Sequence, residues 1–352
     1  MIMKRNKETR TMPVAVEAAP YNAETPLKIL TNNDITPNAS FYIRNHFSTP
    51  SVNPARWKLS ITGNVRVPIS LSLSQIREMP SKTILVTLEC AGNGRMRMRP
   101  IPPSTPWRDC AVATAKWTGV QVRTVLEKAP LQGAKEILFK GADAGVEAGR
   151  DLSFERSLPI DEALDEDVIL AYEMNGRPLP KIHGFPLRLI VPGWYGMASV
   201  KWLTEIHVLK KTFQGYYQKE RYVYENGQGG PQPPVNRIRV KSLILEPAED
   251  AVLKSGETYK VRGLAWSGLG PITKVELRAH NSQWKEAQLS KDLGRHAWRR
   301  WQVTWTPQRP GRYLLMSRAV DVKGNQQPED PFWNRYGYGY NTVTTRSVSV
   351  RN

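Results

Sequence analysis

Residues 84–97 read ILVTLECAGNGRMR: an apolar run stops at Cys90, passes into Ala91-Gly92-Asn93-Gly94, and continues into Arg95, Arg97 and, just beyond, Arg99. The run predicts a buried strand ending in a tight turn. Two readings of the turn compete on local features. Free cysteine is among the most buried residue types and Ala-Gly-Asn-Gly is ordinary turn chemistry. Alternatively, the strand presents a thiolate at its end, Gly92 and Gly94 let a bulky ligand approach the backbone, and the arginines depress the thiol pKa. The surrounding chain has to choose.

Composition narrows the choice. The chain has 352 residues, enough for two domains, and 40% hydrophobic residues, enough for real cores. No stretch approaches the roughly 18 consecutive apolar residues of a membrane span, and the opening MIMKRNKETRTMPVAVEAAP lacks an apolar signal core. These features predict a cytoplasmic chain without a membrane span as the sequence stands, or a periplasmic one if a leader has been removed. The net charge is +18. From Arg237 onward there are 20 Lys+Arg against 10 Asp+Glu, so the excess is spread over both halves. No zinc finger, basic zipper or RNA-binding pattern accompanies it, which argues against nucleic acid; such a field also draws small anions into a cleft or steers an acidic partner. The only two cysteines, Cys90 and Cys110, form neither a disulfide framework nor a Cys-x-x-Cys zinc site.

Outward from the opening stretch the rhythm divides the chain. Residues 1–40 are polar, with TNNDITPNAS as the clearest loop, and predict an arm on the surface or against a partner subunit. WKLSITG and VRVPISLSL alternate like a hairpin, and SLSQIREM predicts a short helix capped by Ser72 or Ser74. TGVQVRTVLEKAP has helical spacing and DEALDEDV reads as a helical turn. KEILFKGAD, VILAYEM, FPLRLIVPG and VKWLTEIHVLK predict strands. Irregular alternation of strands and short helices gives an α+β class for residues 41–230. After the linker ENGQGGPQPPVN, residues 231–352 carry six strand-like runs, RVKSLILEP, TYKVRGLAWSG, ITKVELRAH, RRWQVTWTP, RYLLMSRAVDV and NTVTTRSVSV, which predict a β-sandwich.

Several motifs in order resemble one family. TLECAGNGR (87–95) is similar to the molybdenum-cysteine motif of the sulfite oxidase family, which includes the molybdenum domain of eukaryotic nitrate reductase. FYIRNHF (41–47) resembles that family's first cofactor loop, and LAYEMNGRPLPKIHGFPLRLIVPGWYGMASVKWL (170–203) its longest signature; GLAWSG and AVDVKGNQQPE extend the likeness through the second half. The resemblance implies a sulfite-oxidase-type mixed α/β molybdopterin domain at 41–230, followed by an immunoglobulin-like dimerisation domain at 231–352.

It also implies a molybdenum–molybdopterin cofactor, with Cys90 as the metal's protein ligand and Cys110 a core residue. Asn45, His46, Asp143, His183, Arg188, Ser199, Val200 and Lys201 match cofactor-contacting positions. Arg44, Arg95, Trp107 and Tyr222 match the substrate pocket, with Tyr216, Tyr217 and Tyr224 close by in sequence. Convergent guanidinium groups suit a doubly charged oxyanion. Two departures stand out: Gly94 replaces the first of two adjacent arginines, and the family's Trp-Asn-Leu-Arg-Gly, whose arginine completes the sulfite pocket, appears as Trp333-Asn334-Arg335-Tyr336-Gly337, so Arg335 is the candidate for that pocket role but sits one position early and either fills it or points away. The activity implied is oxidation of sulfite to sulfate by a homodimer, without haem in this chain and with electrons passed to an external acceptor such as a cytochrome c or dioxygen. The alternatives are a relative acting on another small oxyanion or an S-oxide, and a non-catalytic basic β-sandwich binding protein.

Overall fold

The computed structural model describes residues 11–225, 227, 232–280 and 282–352; part of the expected linker, residues 226 and 228–231, and the first ten residues of the arm lie outside it. The first half is built on two five-stranded sheets. In one, Arg177–Pro178, Ile169–Met174, Val112–Gln121 and Ser81–Glu89 lie in that order, and Arg188–Ile190 also pairs with Ile169–Met174. In the other the order is Ile69–Ser72, Lys58–Gly63, Leu203–Leu209, Glu136–Glu147, Arg150–Pro159, with Lys58–Gly63 and Leu203–Leu209 parallel.

The local reasons are visible in the residues. The expected hairpin forms between Lys58–Gly63 and Ile69–Ser72. Ser72 is the N-cap of helix Leu73–Arg77: its hydroxyl accepts from the Gln75 N–H while the Gln75 side chain accepts from the Ser72 N–H, a reciprocal capping box. The strand Ser81–Glu89 pairs with Val112–Gln121 along its whole length and delivers Cys90 to the sheet's end. Helix content is lower than an α+β reading implies, because the α-helices among the described residues are Leu27–Asn32, Leu73–Arg77, Val122–Leu126 and Ile160–Ala163. In TGVQVRTVLEKAP only Val122–Leu126 is helical. Trp117–Gln121 pairs instead with Ile169–Met174, so cross-strand burial overrides the helical spacing.

All six expected strands of the second half form, as Lys241–Glu246, Tyr259–Trp266, Ile272–Ala279, Arg299–Trp305, Gly311–Asp321 and Thr344–Arg351. They fall into a four-stranded and a five-stranded sheet. Along Thr344–Arg351 buried residues alternate with half-buried ones, as a strand with one covered face requires. Ile244, Val261, Ala265, Val275, Leu277, Leu315, Ala319 and Val348 supply a core shared by the two sheets.

The halves do not merely touch. Leu243, Leu245, Leu264, Trp266, Trp298 and Tyr338 of the second belong to the same apolar cluster as Leu59, Val112, Val120 and Leu203 of the first. The arm is part of this construction, contrary to the expectation of a peripheral segment: Asn22, Ala23, Glu24 and Thr25 are at most 5% exposed. Arg300 donates to the carbonyls of Leu30, Thr31 and Asn33 and so satisfies the C-terminal end of helix Leu27–Asn32. Trp298, fully buried, donates its indole N–H to Asp34 O (3.0 Å), and its backbone N–H donates to Thr87 Oγ1 (2.8 Å). Trp298→Ala should therefore lower stability by about 3–5 kcal/mol, through a cavity and an orphaned carbonyl. A urea midpoint indistinguishable from wild type would show that the halves are not held together here.

Candidate functional site

Six segments converge on a cleft with an empty volume of about 630 Å³, its open mouth included. The loop 41–47 contributes Arg44 and His46, the turn after Glu89 contributes Cys90, and strand Glu136–Glu147 contributes Asp143. Residues 183–188 supply His183 and Arg188, the turn after the short helix Gly196–Ala198 supplies Ser199 and Lys201, and Tyr222 follows the π-helical turn Tyr217–Arg221. Of the expected site residues, Arg44, His46, Cys90, Asp143, His183, Arg188, Ser199, Lys201 and Tyr222 line this one cleft. Asn45 stands one step back, accepting from the Lys201 ammonium. Val200 is fully buried and works through its backbone, its carbonyl accepting from Leu189 N–H (2.8 Å). Trp107, also fully buried, packs in the cluster of Phe41, Tyr42 and Cys90 and forms no part of the cleft lining.

The four candidate tyrosines separate cleanly. Tyr222 faces the cleft and its hydroxyl shares a 2.8 Å hydrogen bond with His46 Nε2. Tyr217 and Tyr216 turn to Glu147, and Tyr224 lies under the Arg239 guanidinium.

The cleft's electrostatics are one-sided. Arg44, His46, His183, Arg188 and Lys201 line it with a single carboxylate, Asp143. Arg188 donates to the carbonyls of His183 (2.9 Å) and Ser199 (3.1 Å) and stacks over Trp117, and burial lowers its pKa to about 10. Lys201 is pushed well below the ordinary lysine range by burial and by Arg188. Burial, with neighbouring Lys201 and Arg188, lowers His183 to about 3; burial and Arg44 lower His46 well below its usual value. Burial raises Asp143 to about 6 despite Lys201. Two buried atoms of the cleft lining have no hydrogen-bond partner among the described residues, Arg188 Nε and Asp143 Oδ1. A donor beside cations and an acceptor left over fit a ligand carrying anionic oxygens and N–H groups, as a pterin phosphate does. No group of three or more His, Cys, Asp and Glu that could hold a metal occurs among the described residues, so a metal here would take Cys90 and the rest of its ligands from the cofactor.

Two expectations about the cysteine turn need correction. The arginines do not make Cys90 acidic in the protein by itself, since burial raises its thiol against the pull of Arg44 and Arg95. Arg97 is paired with Asp109 (2.7 Å) and Arg99 donates to the Met96 and Met98 carbonyls. Metal coordination, which removes a thiol proton outright, does not require that help. Nor do the glycines admit a ligand. A Cβ at Gly92 would meet the Arg95 guanidinium at 2.3 Å, and one at Gly94, where φ is +90°, would meet Tyr340 at 2.7 Å. They make room for the protein's own side chains.

Arg335 is the third correction. Its side chain is 62% exposed and paired with Glu225 (3.1 Å). The one-residue shift brings the Tyr336 carbonyl, not a guanidinium, inward to accept from Arg95 Nε (2.8 Å). Sequence reasoning missed Arg221, which donates to Tyr338 OH (2.7 Å), pairs with Glu147 (3.1 Å) and lies over the Tyr336 ring. It also missed Arg156, fully buried over the face of Tyr222 and hydrogen-bonded to the Tyr217 and Val235 carbonyls. Adjacency to Tyr222 was the available signal for Arg221; a strand position gave none for Arg156. Cys110, half-buried, lies outside the cleft.

Residues 46–217 match the oxidoreductase molybdopterin binding domain and residues 232–348 the Mo-co oxidoreductase dimerisation domain. The chain is 35% identical to sulfite oxidase of Gallus gallus over 344 residues, covering 90% of this chain and 74% of that one. It is 34% identical to the mitochondrial sulfite oxidase of Homo sapiens, spanning 62% of that protein's length, and 32% identical to an NADH nitrate reductase of Volvox carteri, spanning 40%. Among solved structures, the sulfane dehydrogenase SoxCD from Paracoccus pantotrophus superposes with a TM-score of 0.83 at 26% identity, over 94% of this chain and 85% of that one.

The buried histidines generate a pH prediction. His183 stays neutral when folded, with a pKa near 3, and takes up a proton when unfolded below its ordinary 6.5. Its folded value is the lower one, so the stability it confers is present above pH 6.5 and is lost as pH falls toward 3. The slope is about 1.4 kcal/mol per pH unit. Asp143, raised when folded, works in the opposite sense. In cofactor-free protein, His183→Gln should flatten the fall of the urea midpoint between about pH 6.5 and 4.5; an unchanged profile would mean that His183 is charged when folded.

Proposed function

This chain belongs to the sulfite oxidase family of molybdopterin oxidoreductases, and from that premise we propose that it oxidises sulfite to sulfate and passes the electrons to an external acceptor. The observation that carries the reading is the convergence of buried cations on Cys90 with one carboxylate among them. Sulfite takes up an oxygen atom from water and releases two electrons and two protons on becoming sulfate. Cys90 would hold the metal of a molybdenum cofactor, and His183, Arg188, Ser199, Lys201 and Asp143 its pterin and phosphate; the group would supply oxygen transfer and two-electron redox chemistry there.

The chain's own part is electrostatic and positional. Arg44 on the cleft wall, with Arg95 and Arg221 behind it, offsets the desolvation of a doubly charged anion. The hydrogen bond to neutral His46 fixes the Tyr222 hydroxyl at the cleft wall. Phe41, Tyr42 and Trp107 close the apolar side of Cys90 against water. The dimerisation-domain match supports a homodimer.

A second reading is favoured by Arg335. With its guanidinium outside, the second half places Tyr338 behind Tyr222, ring centroids 5.0 Å apart, and Tyr336 against Arg221, less positive surroundings that suit a larger or less charged sulfur substrate. Kinetics separate the two. Arg44→Gln should raise the sulfite KM roughly ten- to a hundredfold with molybdenum retained, the cost of one charge-assisted contact. Arg335→Gln should act as a surface change, worth less than about 0.5 kcal/mol. Little response of sulfite turnover to Arg44→Gln would favour the second substrate class. Metal analysis tests the common premise: about one molybdenum per chain is expected, lost with turnover in Cys90→Ser and kept in Cys110→Ser.

A further inference from the structure

Glu89 and Cys90 are neighbours at a strand's end, and successive strand residues point to opposite faces. Cys90 faces the cleft; Glu89 faces the second half of the chain. The Glu89 carboxylate, 2% exposed, is fully engaged: Oε1 accepts from Asn93 Nδ2 (2.9 Å) and Lys241 Nζ (3.3 Å), and Oε2 from Trp266 Nε1 (2.8 Å). Lys241, 3% exposed, also donates to the Asn93 carbonyl (3.1 Å). Asn93 Oδ1 in turn accepts from Ala111 N–H (3.0 Å), and the Gly339 N–H donates to Ala91 O (2.8 Å). Gly94 leaves the space that Tyr340 and Lys241 fill. The turn 89–94 is thus gripped on its far side by Lys241, Trp266, Gly339 and Tyr340, all from the second half.

A buried ion pair is a poor way to gain stability, because desolvation offsets most of the attraction and apolar residues of equal volume serve as well. Its placement one residue from the thiol suggests a use. We propose that the Lys241–Glu89 pair, together with Trp266 and Asn93, is a positioning device through which the second half of the chain sets the orientation of the Cys90 side chain toward the metal. Lys241 and Trp266 act through Glu89 and touch neither cofactor nor substrate; they are positioning residues. The device rests on the reading of Cys90 as the metal ligand.

The test uses the holoenzyme and two readouts other than turnover: molybdenum per chain, and the visible absorption arising from thiolate-to-molybdenum charge transfer, which depends on the sulfur's orientation. Cys90→Ser comes first; if it keeps the wild-type absorption and metal, the ligand reading itself fails. Given its loss there, Lys241→Met, which strands a buried carboxylate, should alter the band and lower molybdenum content at least about tenfold. Trp266→Phe, which removes one hydrogen bond and keeps the packing, should alter the band with smaller metal loss. Glu89→Gln combined with Lys241→Met removes both charges, leaves an oxygen to accept from Asn93 or Trp266, and should restore the band and the metal. Single variants with lowered thermal midpoints but wild-type absorption and molybdenum would overturn the proposal and leave the pair as ordinary domain glue. If Lys241→Met does not fold, Trp266→Phe and the double variant decide by the same criteria.

Discussion

Buried positive charge without matching acid is the constraint around which this molecule is organised. Arg44, Arg188 and Lys201 line one small cleft, Arg156 lies against Tyr222 on its wall, and burial disfavours the charged form of two histidines beside them. Withdrawing such groups from water costs several kcal/mol each unless something replaces the lost solvation. Here the replacement is mostly neutral. Backbone carbonyls of Ile182, His183, Ser199, Tyr217 and Val235 accept the hydrogen bonds, and the faces of Trp117, Trp202 and Tyr222 lie against the cations. Dipoles and ring faces stabilise a cation without cancelling its charge. The cleft therefore remains positive, and the free energy still owed to those groups is what an anionic ligand can recover on binding.

Holding carbonyls in place against cations demands a rigid frame, which explains why the two halves share a core. Trp298 and Arg300 reach from the second half into the first and fix the arm that leads to the loop 41–47. Lys241, Trp266 and Gly339 reach to the cysteine turn. Arg95 is anchored on the Tyr336 carbonyl and over the Tyr338 ring. The site thus lies in the first half by lining and in both halves by support. A change in the seating of one half on the other would move Cys90, Arg95 and Arg44 together, so function and interdomain stability are coupled by construction.

The same arrangement accounts for the one-residue shift at 333–337. Gly337 adopts φ +65° and a Cβ there would meet Arg95 at 2.7 Å. The loop therefore presses its backbone against Arg95, Arg335 is turned out to Glu225, and Arg221 supplies the nearby positive charge from the first half.

Local chemistry made much of this legible in the sequence. Alternation marked the hairpin at 58–72 and the six strands after residue 240, because burial of one sheet face leaves a period of two. Ser72 announced its helix, and ordered motifs by themselves gathered nine of the cleft-lining residues. Tertiary structure alone decided the rest. Spacing gave TGVQ to a helix until pairing with Ile169–Met174 took it for a sheet. That Arg335 turns out to Glu225 while Arg221 packs on Tyr336 and Tyr338 depended on loop packing, and the thiol's raised pKa on burial that no sequence count measures. Glu89 looked like the end of an apolar strand; its meaning comes from Lys241, 152 residues away. Sequence determines which groups are available and their local geometry, whereas desolvation and long-range pairing exist only once distant segments have closed over them.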